Sequence, residues 1–268
     1  MDNEGMRTSH IYSDFIERLA TAASDAIMPH FRTGHDVENK LAGGFDPVTV
    51  ADKAGETAMR ALINAELPDH GILGEEHGPE NTDAEHVWVL DPIDGTRAFI
   101  TGLPTWGTLI GLTEKGTPRL GMMMQPYVRE AYVGDCKTAW YKGPIGSKSL
   151  KTRSCQDLSD AVMFTTTPAL FQGEERSAYD AIEARTKLTR YGTDCYGYCM
   201  VAAGHADLVV ETGLQAYDVV ALIPIVEGAG GVMTNWTGGS AADGGQIVAS
   251  GDPRLHELVL KELASAAV

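Results

Sequence analysis

The chain lacks a cluster of Lys and Arg, a long apolar run and a Cys-x-x-Cys pair. Its 21 basic residues stand against 37 acidic ones, which gives a formal net charge of −16. Because nucleic acid and anionic membrane surfaces repel an acidic chain, we expect neither as a partner. No stretch approaches the length of about 18 apolar residues that crosses a bilayer, so the sequence predicts no membrane-spanning helix.

Cysteine is scarce as well, with four residues in 268. They are Cys136, Cys155, Cys195 and Cys199, and no further zinc ligands stand near them in the sequence. We therefore expect reduced, mostly buried thiols in a cytoplasmic protein. The first residues show no apolar signal-peptide core, which agrees with that location, and an organelle transit peptide that is already removed stays open as an alternative.

What the chain does have is the composition of a folded globular protein, 43% hydrophobic and 22% charged. Two helices followed by strands predict an α+β subdomain over residues 1–146. Alternating strands and helices predict an α/β subdomain over residues 147–268. No linker of disordered composition separates the two, so we expect one compact body.

Apolar periodicity predicts the individual elements. In the first half we expect helices over about residues 8–31 and from Val50 to Pro68, and strands over residues 86–90, 105–112, 120–127, 131–134 and 139–142, in a largely antiparallel sheet. In the second half we expect strands over residues 161–165, 188–192, 207–211 and 247–250. Helices are expected there over residues 174–184, 195–203 and 216–229 and from residue 252 onward.

The segment Trp-Val-Leu-Asp-Pro-Ile-Asp-Gly-Thr, residues 88–96, carries the most specific signal. An apolar strand runs directly into Asp91 and Asp94, which are three residues apart. Carboxylates at the end of a buried strand must be paired, hydrogen-bonded or bound to a cation. Hard oxygen ligands this close together suit Mg²⁺, with the backbone carbonyl of Ile93 as a further ligand.

The Gly95-Thr96 step then opens a predicted helix whose free N–H groups can hold a phosphate oxygen. A metal site beside a phosphate site is the arrangement that phosphoryl transfer needs, because the metal neutralises developing charge while the amides hold the phosphate oxygens. The alternative is an ordinary surface turn, since Asp-Pro and Asp-Gly are common turn pairs.

Other acids also stand where apolar segments begin or end. Glu75 follows the apolar run of residues 72–73, and Asp218 opens an otherwise apolar helix. Thr49 and Asp52 stand at the entry to the second predicted helix. For Asp218, and for the Thr49–Asp52 pair, helix capping is the alternative explanation.

Together these segments resemble the inositol monophosphatase family, whose signature runs D-x-x-T-x-x-D, G-E-E, D-P-I-D-G-T and W-D-x-A-A in that order. The chain shows the same order in Asp46/Thr49/Asp52, Gly74-Glu75-Glu76, Asp91 to Thr96 and Tyr217 to Ala221. The likeness runs from residue 46 to about residue 231. Tyr217 stands where Trp is usual, and this aromatic exchange should leave Asp218 in place.

The resemblance implies a layered α-β-α-β-α sandwich that combines α+β and α/β parts. It also implies a Mg²⁺-assisted attack of water on a small phosphate monoester, with two or three Mg²⁺ per active site and usually a homodimer. One metal would be held by Glu75, Asp91 and the Ile93 carbonyl. A second would be held by Asp91, Asp94 and Asp218.

The same resemblance assigns the remaining catalytic roles. Asp52 with Thr96, and Thr49 as well, would orient and deprotonate the attacking water. The backbone amides of Gly95 and Thr96 would cradle the phosphate group. No cysteine or histidine nucleophile is required by such a reaction.

Two segments, residues 97–107 and 191–196, are similar to the histidinol-phosphate phosphatase branch, which serves histidine biosynthesis. Because histidinol phosphate carries an ammonium group, we expect an acidic pocket, and the resemblance places Asp194 and Glu211 toward the substrate. Arg97 would contact phosphate, pair with an acid of the site or face solvent.

Three alternatives remain to the histidinol-phosphate assignment. An inositol monophosphatase and a broad-specificity sugar or nucleotide phosphatase would use the same chemistry. A regulatory binding protein on the same fold would need a basic surface or a spoiled metal site, and the sequence shows neither.

Overall fold

The computed structural model describes the backbone of residues 3–33, 37–39 and 47–268, and the side chains of residues 11–33 and 50–268. Asp46 and the side chain of Thr49 lie outside these described parts, so their predicted places in the site stay predictions.

Helices and strands alternate along the described chain. The helices are α1 Asn3–Ile27, α2 Val50–Glu66, α3 Thr96–Ile100, α4 Gly173–Glu183, α5 Cys195–Ala202, α6 Ala216–Val219, α7 Leu222–Gly228 and α8 Pro253–Leu263. The strands are β1 Val37–Asn39, β2 Pro47–Thr49, β3 Gly71–Gly74, β4 Gly78–Glu80, β5 His86–Asp94, β6 Gly107–Glu114, β7 Thr117–Gln125, β8 Glu130–Gly134, β9 Ala139–Gly143, β10 Gly146–Ser149, β11 Val162–Thr165, β12 Leu188–Tyr191, β13 Leu208–Leu214, β14 Val232–Asn235 and β15 Gly245–Ser250.

The two N-terminal helices are amphipathic and bury their apolar stripes in one core. Along α1 the buried residues recur at helical spacing: Phe15, Ile16, Leu19, Ala20, Ala23 and Ile27. On α2 the buried apolar residues include Met59 and Ile63. Both stripes belong to the same apolar cluster as Trp88 and Leu90 of β5, so α1 and α2 cover one face of the sheet that contains β5.

The larger sheet has eight strands in the order β10-β9-β8-β7-β6-β5-β3-β4. From β5 to β10 every neighbouring pair is antiparallel, which confirms the predicted meander. The exception is β3, which runs parallel to β5 with Gly74 opposite Leu90. Because the strands run in the same direction, the residues after Gly74 and those after Leu90 lie at the same edge of the sheet.

The smaller sheet has five strands in the order β12-β11-β13-β15-β14. β11 is parallel to both of its neighbours, whereas β13, β15 and β14 pair antiparallel. One face packs on α4 and α8 through Tyr179, Leu255 and Val259. The other face packs on α5 and α7, and these two helices also cover the second face of the larger sheet. The layers therefore run α-β-α-β-α, which confirms the predicted architecture.

A row of three glycines sets the distance between the central helices and the larger sheet. Gly111, Gly121 and Gly134 lie opposite one another on β6, β7 and β8. A Cβ atom at Gly121 would lie 1.9 Å from the carbonyl oxygen of Ala221, and one at Gly134 would lie 2.2 Å from that of Pro224. The backbone that joins α6 to α7 and enters α7 thus rests directly on the backbone of the sheet.

The structure corrects several predicted boundaries. α1 ends at Ile27, before a short 3₁₀ turn, rather than near residue 31, and the single helix predicted over residues 216–229 is two helices. The strands β1, β2, β4, β10 and β14 were not predicted. The division of the chain at residues 146 and 147 stays a prediction; that point falls within β10.

Two further expectations concern the cysteines and the membrane. The structure contains four free cysteines, and three of them are buried. Within the described residues, no helix is long and apolar enough to cross a membrane.

Candidate active site

Asp91 and Asp94 stand on an irregular end of β5. The pairing of β5 with β6 shifts register between Asp91 and Asp94, and such a bulge re-aims side chains. The hydroxyl of Thr108 holds the bulge by donating to the carbonyl of Pro92 at 2.8 Å. The backbone N–H of Ile93 donates to Asp91 Oδ1 at 3.0 Å. Asp91 is 1% exposed, so the surface-turn alternative does not describe it.

Asp218 reaches the same place from a different part of the chain. It lies on α6, and the glycine row beneath the start of α7 allows this helix pair to approach the sheet. Its Oδ2 atom accepts a hydrogen bond from the backbone N–H of Gln215 at 2.6 Å. Gln215 is the N-cap residue of α6 and Asp218 is the N3 residue of its capping box, so Asp218 contributes to the cap but is not the N-cap residue that the alternative proposed. One carboxylate oxygen from each of Asp91, Asp94 and Asp218 lies within 4.8 Å of the other two.

Glu75 lies beside this cluster because β3 runs parallel to β5. The backbone N–H of Glu75 donates to the carbonyl of Leu90 at 3.2 Å, which extends the pairing by one residue beyond Gly74. After burial, the negative charge of Glu75 is the largest cause of the raised pKa of Asp91. The structure therefore brings together the four acids that the sequence selects as metal ligands.

The electrostatics of the cluster are those of several buried acids whose charges repel one another, an arrangement that a bound cation would stabilise. Burial and the neighbouring carboxylates raise the pKa values of Asp91 and Asp94 well above the ordinary range. Burial likewise raises the pKa of Asp218, to about 7. The donors are carboxylate oxygens together with the nearby Ile93 carbonyl, a set that fits a hard divalent cation such as Mg²⁺, Mn²⁺ or Ca²⁺ rather than a soft metal.

Thr96 and Asp52 border the cluster. The hydroxyl of Thr96 donates to the carbonyl of Ile93 at 3.2 Å, which places it next to a predicted metal ligand. Asp52, on α2, is 1% exposed, and its charge contributes to the raised pKa of Asp91. Gly95 precedes α3 with φ +86°, a left-handed conformation that glycine adopts without strain.

A second acidic group lies next to the first. Oε1 of Glu211 accepts hydrogen bonds from both the backbone N–H and the hydroxyl of Thr166 at 2.6 Å, and Oε2 accepts from the Tyr198 hydroxyl at 3.2 Å. The Thr166 hydroxyl also lies 3.3 Å from Asp194 Oδ1. Burial raises the pKa of Asp194, and it raises that of Glu211 to about 7. The two acids predicted to face the substrate are thus joined through Thr166.

The Asp194–Cys195 step connects the two acidic groups. The backbone N–H of Cys195 donates to Asp94 Oδ2 at 2.7 Å. Asp194 has φ +42° and ψ −134°, a strained conformation for a residue with a side chain, and such strain is common at functional sites. A Cβ atom on Gly95 would lie 3.2 Å from Asp194 Oδ2, so a side chain at this position would press on the carboxylate.

Arg97 is exposed on α3, and its positive charge opposes the upward shift of the Asp194 pKa. Its exposure agrees with the solvent-facing possibility and its charge with the pairing possibility, so the role of Arg97 stays a prediction.

Sequence reasoning missed Thr166, Tyr198 and the Cys195 amide. The available signal for Thr166 was its position directly after the strand β11, just as Asp91 directly follows the strand predicted over residues 86–90. The roles of Tyr198 and the Cys195 amide depend on distant partners, for which the sequence gives no local signal.

Comparison with known proteins agrees with the site. The model of the "Inositol monophosphatase family" matches residues 11–267. The chain is 42% identical to "Bifunctional phosphatase IMPL2, chloroplastic" from Arabidopsis thaliana, covering 91% of this chain and 72% of that protein. It is 33% identical to a histidinol-phosphatase from Chlorobaculum parvum, covering 80% and 82%, and 31% identical to the Nus factor SuhB of Pasteurella multocida, covering 92% and 93%.

Among solved structures, an inositol monophosphatase from Zymomonas mobilis is similar with a TM-score of 0.83 and 43% identity, covering 94% of this chain and 98% of that one. The family model spans nearly the whole chain, and the relatives are similar over most of their length. The chain belongs to the inositol monophosphatase family.

Proposed function

We propose that the protein hydrolyses histidinol phosphate to histidinol and inorganic phosphate with the assistance of Mg²⁺. The observation that carries the proposal is the buried Asp91–Asp94–Asp218 cluster, whose oxygens lie within 4.8 Å of one another, next to the linked acids Asp194 and Glu211. The first group suits a cation beside a phosphate, and the second suits the ammonium group of the substrate.

In this proposal Glu75, Asp91, Asp94, Asp218 and the carbonyl of Ile93 hold two or three Mg²⁺. When bound, Mg²⁺ supplies a Lewis acid that neutralises the charge of the transferring phosphoryl group and lowers the pKa of water. Buried acids with raised pKa values become ionised when such a cation is present, since an opposite charge favours the charged form.

The chain's own groups then orient the reaction. Asp52 accepts the proton of the attacking water, with Thr96 and Thr49 orienting that water. The amides of Gly95 and Thr96 hold the phosphate oxygens.

Specificity resides in Asp194 and Glu211 in this account. Their raised pKa values mean that burial disfavours their charged forms, and the ammonium group of histidinol restores those forms by pairing with them. A neutral polyol gains no such charge-assisted bond, so it should bind more weakly.

The test is phosphate release from histidinol phosphate and from inositol 1-phosphate, with and without Mg²⁺. We expect a preference for histidinol phosphate and a loss of activity when Mg²⁺ is removed. Asp194→Asn should lower kcat/KM for histidinol phosphate more than for the neutral ester. Equal losses on both esters would remove Asp194 from substrate recognition.

Inositol monophosphate is the second candidate substrate, since the Zymomonas mobilis protein described as an inositol monophosphatase is 43% identical. A tenfold preference for inositol 1-phosphate would overturn the histidinol phosphate assignment and leave the phosphatase chemistry in place. A broad-specificity phosphatase would instead hydrolyse sugar and nucleotide phosphates in the same panel at comparable rates.

A regulatory binding role is the remaining alternative, because one relative is named a Nus factor. Asp94→Asn should abolish turnover without unfolding the chain, whereas a role that depends only on binding would survive the substitution.

A homodimer and a cytoplasmic location belong to the same proposal. Four free cysteines agree with a reducing compartment. Sedimentation equilibrium of the purified chain tests the dimer, and fractionation of cells that express it tests the location.

A further inference from the structure

Glu56 is a charged residue at full burial that the proposed reaction does not use. It lies on α2, one turn after Asp52, and it is 0% exposed. Burying a carboxylate is unfavourable unless its oxygens are hydrogen-bonded and its charge is paired. The hydrogen-bond partners of the Glu56 carboxylate therefore indicate which part of the structure it holds in place.

Two of these partners are backbone amides of the turn between β3 and β4. Oε2 of Glu56 accepts from the N–H of Glu76 at 2.7 Å, and Oε1 accepts from the N–H of His77 at 3.1 Å. Glu75 immediately precedes these two residues. The carboxylate of Glu56 thus holds the backbone that begins one residue after a predicted metal ligand.

Gly74 gives the carboxylate room to reach this turn. A Cβ atom at Gly74 would lie 2.0 Å from Glu56 Oε1 and 2.3 Å from its carboxyl carbon. A side chain at this position would displace the carboxylate from the turn amides. The close approach is therefore built into the strand that ends at Glu75.

Arg60 completes the arrangement from the next turn of α2. Its Nε donates to Glu56 Oε1 at 2.7 Å, and its Nη1 donates to Glu80 Oε2 at 3.1 Å. Its Nη2 donates to the carbonyl of Gly78. Arg60 pairs with the buried carboxylate and ties β4, the second strand of the hairpin, to α2.

We propose that Glu56 and Arg60 are positioning residues that fix the β3–β4 turn so that Glu75 faces the Asp91 cluster. The proposal rests on the proposed function, since it takes Glu75 to be a ligand of Mg²⁺. Because α2 also carries Asp52, one helix sets both the proton acceptor and the metal ligand.

The test measures Mg²⁺ binding to the full chain by isothermal titration calorimetry. Glu56→Gln keeps the size of the side chain but turns one acceptor into a donor that opposes the turn amides and Arg60. We expect the Kd for Mg²⁺ to rise about tenfold or more, as for other groups that support metal ligands. Amide hydrogen exchange at residues 76 and 77 should become faster.

Kinetics separate positioning from general damage. In Glu56→Gln the Mg²⁺ concentration for half-maximal activity should rise in step with the Kd, while kcat at saturating Mg²⁺ stays within about threefold. A merely structural role would lower the folded fraction and leave the Kd of the folded molecules unchanged.

The matched control is Glu80→Gln, which removes the other acid bound by Arg60 and leaves the turn amides bound to Glu56. It should bind Mg²⁺ with the wild-type Kd. A wild-type Kd in folded Glu56→Gln overturns the proposal. Should Glu56→Gln not fold, Arg60→Lys decides by the same calorimetry: a weaker Kd supports the proposal, and an unchanged Kd overturns it.

The same measurements distinguish a failure of the proposed function from a failure of the positioning role. Asp94→Asn lacks one of the proposed Mg²⁺ ligands and serves as the reference for a chain with an incomplete metal site. If the wild-type chain binds Mg²⁺ no better than Asp94→Asn, the proposed function fails and the positioning role with it. If the wild-type chain binds Mg²⁺ and Glu56→Gln binds equally well, only the positioning role fails.

Discussion

Gly121 lies on β7 directly beneath the carbonyl of Ala221, and its replacement by alanine should disturb the active site without altering any residue in it. Ala221 lies between α6 and α7, three residues after Asp218. The distance between β7 and this backbone therefore controls where the carboxylate of Asp218 lies relative to Asp91 and Asp94.

The size of the effect follows from the close approach. A Cβ at Gly121 would lie 1.9 Å from the Ala221 oxygen, and real Cβ contacts are not shorter than 3.0 Å, so the backbone must move by at least 3.0 − 1.9 = 1.1 Å. Inserting a methyl group into such packing costs about 1–3 kcal/mol of the free energy of unfolding. A misplacement of about 1 Å in a catalytic group lowers activity on the order of 100-fold.

Two measurements check the Gly121→Ala prediction. Urea unfolding should show the loss of stability, and phosphate release with saturating Mg²⁺ should show kcat/KM reduced by about 100-fold. Gly116→Ala is the matched control, because it adds a methyl group at the β6–β7 turn, where no atom of the described residues other than its chain neighbours lies within 4 Å. Its positive φ of +77° costs stability, on the order of 1 kcal/mol, but kcat/KM should not change.

The reasoning would be refuted if Gly121→Ala folded and kept the wild-type kcat/KM. In that case the glycine row would serve packing alone, and the position of Asp218 would not depend on the distance between helix and sheet.

Three further predictions concern buried polar groups. Burial lowers the pKa of His256 from 6.5 to about 4, so the unfolded chain binds the proton more readily. The stability that this group contributes is complete above about pH 6.5 and should fall by up to about 3 kcal/mol as the pH drops toward 4; urea unfolding at several pH values should show a smaller loss in His256→Gln. Thr166→Val removes a hydrogen bond that lowers the pKa of Glu211, so this pKa should rise. The acid limb of the pH profile of kcat/KM for histidinol phosphate should therefore move to higher pH. Thr166→Ser keeps the hydroxyl and should leave the profile in place. Asp207→Asn replaces a buried carboxylate that accepts hydrogen bonds from Arg153 and from a backbone amide. We expect the free energy of unfolding, measured in urea, to fall by about 2 kcal/mol while kcat/KM stays unchanged.

Local segments explain why much of the site was predictable. Asp91 and Asp94 belong to one strand end, where an apolar run meets two acids, and the physical requirement for compensation acts within nine residues of sequence. Glu75 was predictable for the same reason, because it is an acid directly after the apolar strand β3. The helices α1 and α2 were predicted because their apolar stripes repeat at helical spacing, although the end of α1 was placed a few residues too late.

Other features have no local signal. The Thr166–Glu211 hydrogen bonds join residues 45 positions apart, and the Cys195–Asp94 bond joins residues 101 apart. The break between α6 and α7 was missed although the apolar run of residues 219–226 contains Pro224, which lacks the N–H that a continuous helix would bond to the carbonyl of Val220. β14 was missed because four residues with mixed burial show no clear alternation.

The sequence by itself determined which side chains are available for the chemistry, the strand and helix ends that present them and the order of the layers along the chain. The family resemblance already placed Asp218 with Asp91 and Asp94. Only the tertiary structure decided how α6 reaches them, and that Glu56 and Arg60 hold the turn beside Glu75. The physical reason is that strand register and the approach of helix to sheet depend on contacts between distant segments, such as the glycine row against Ala221.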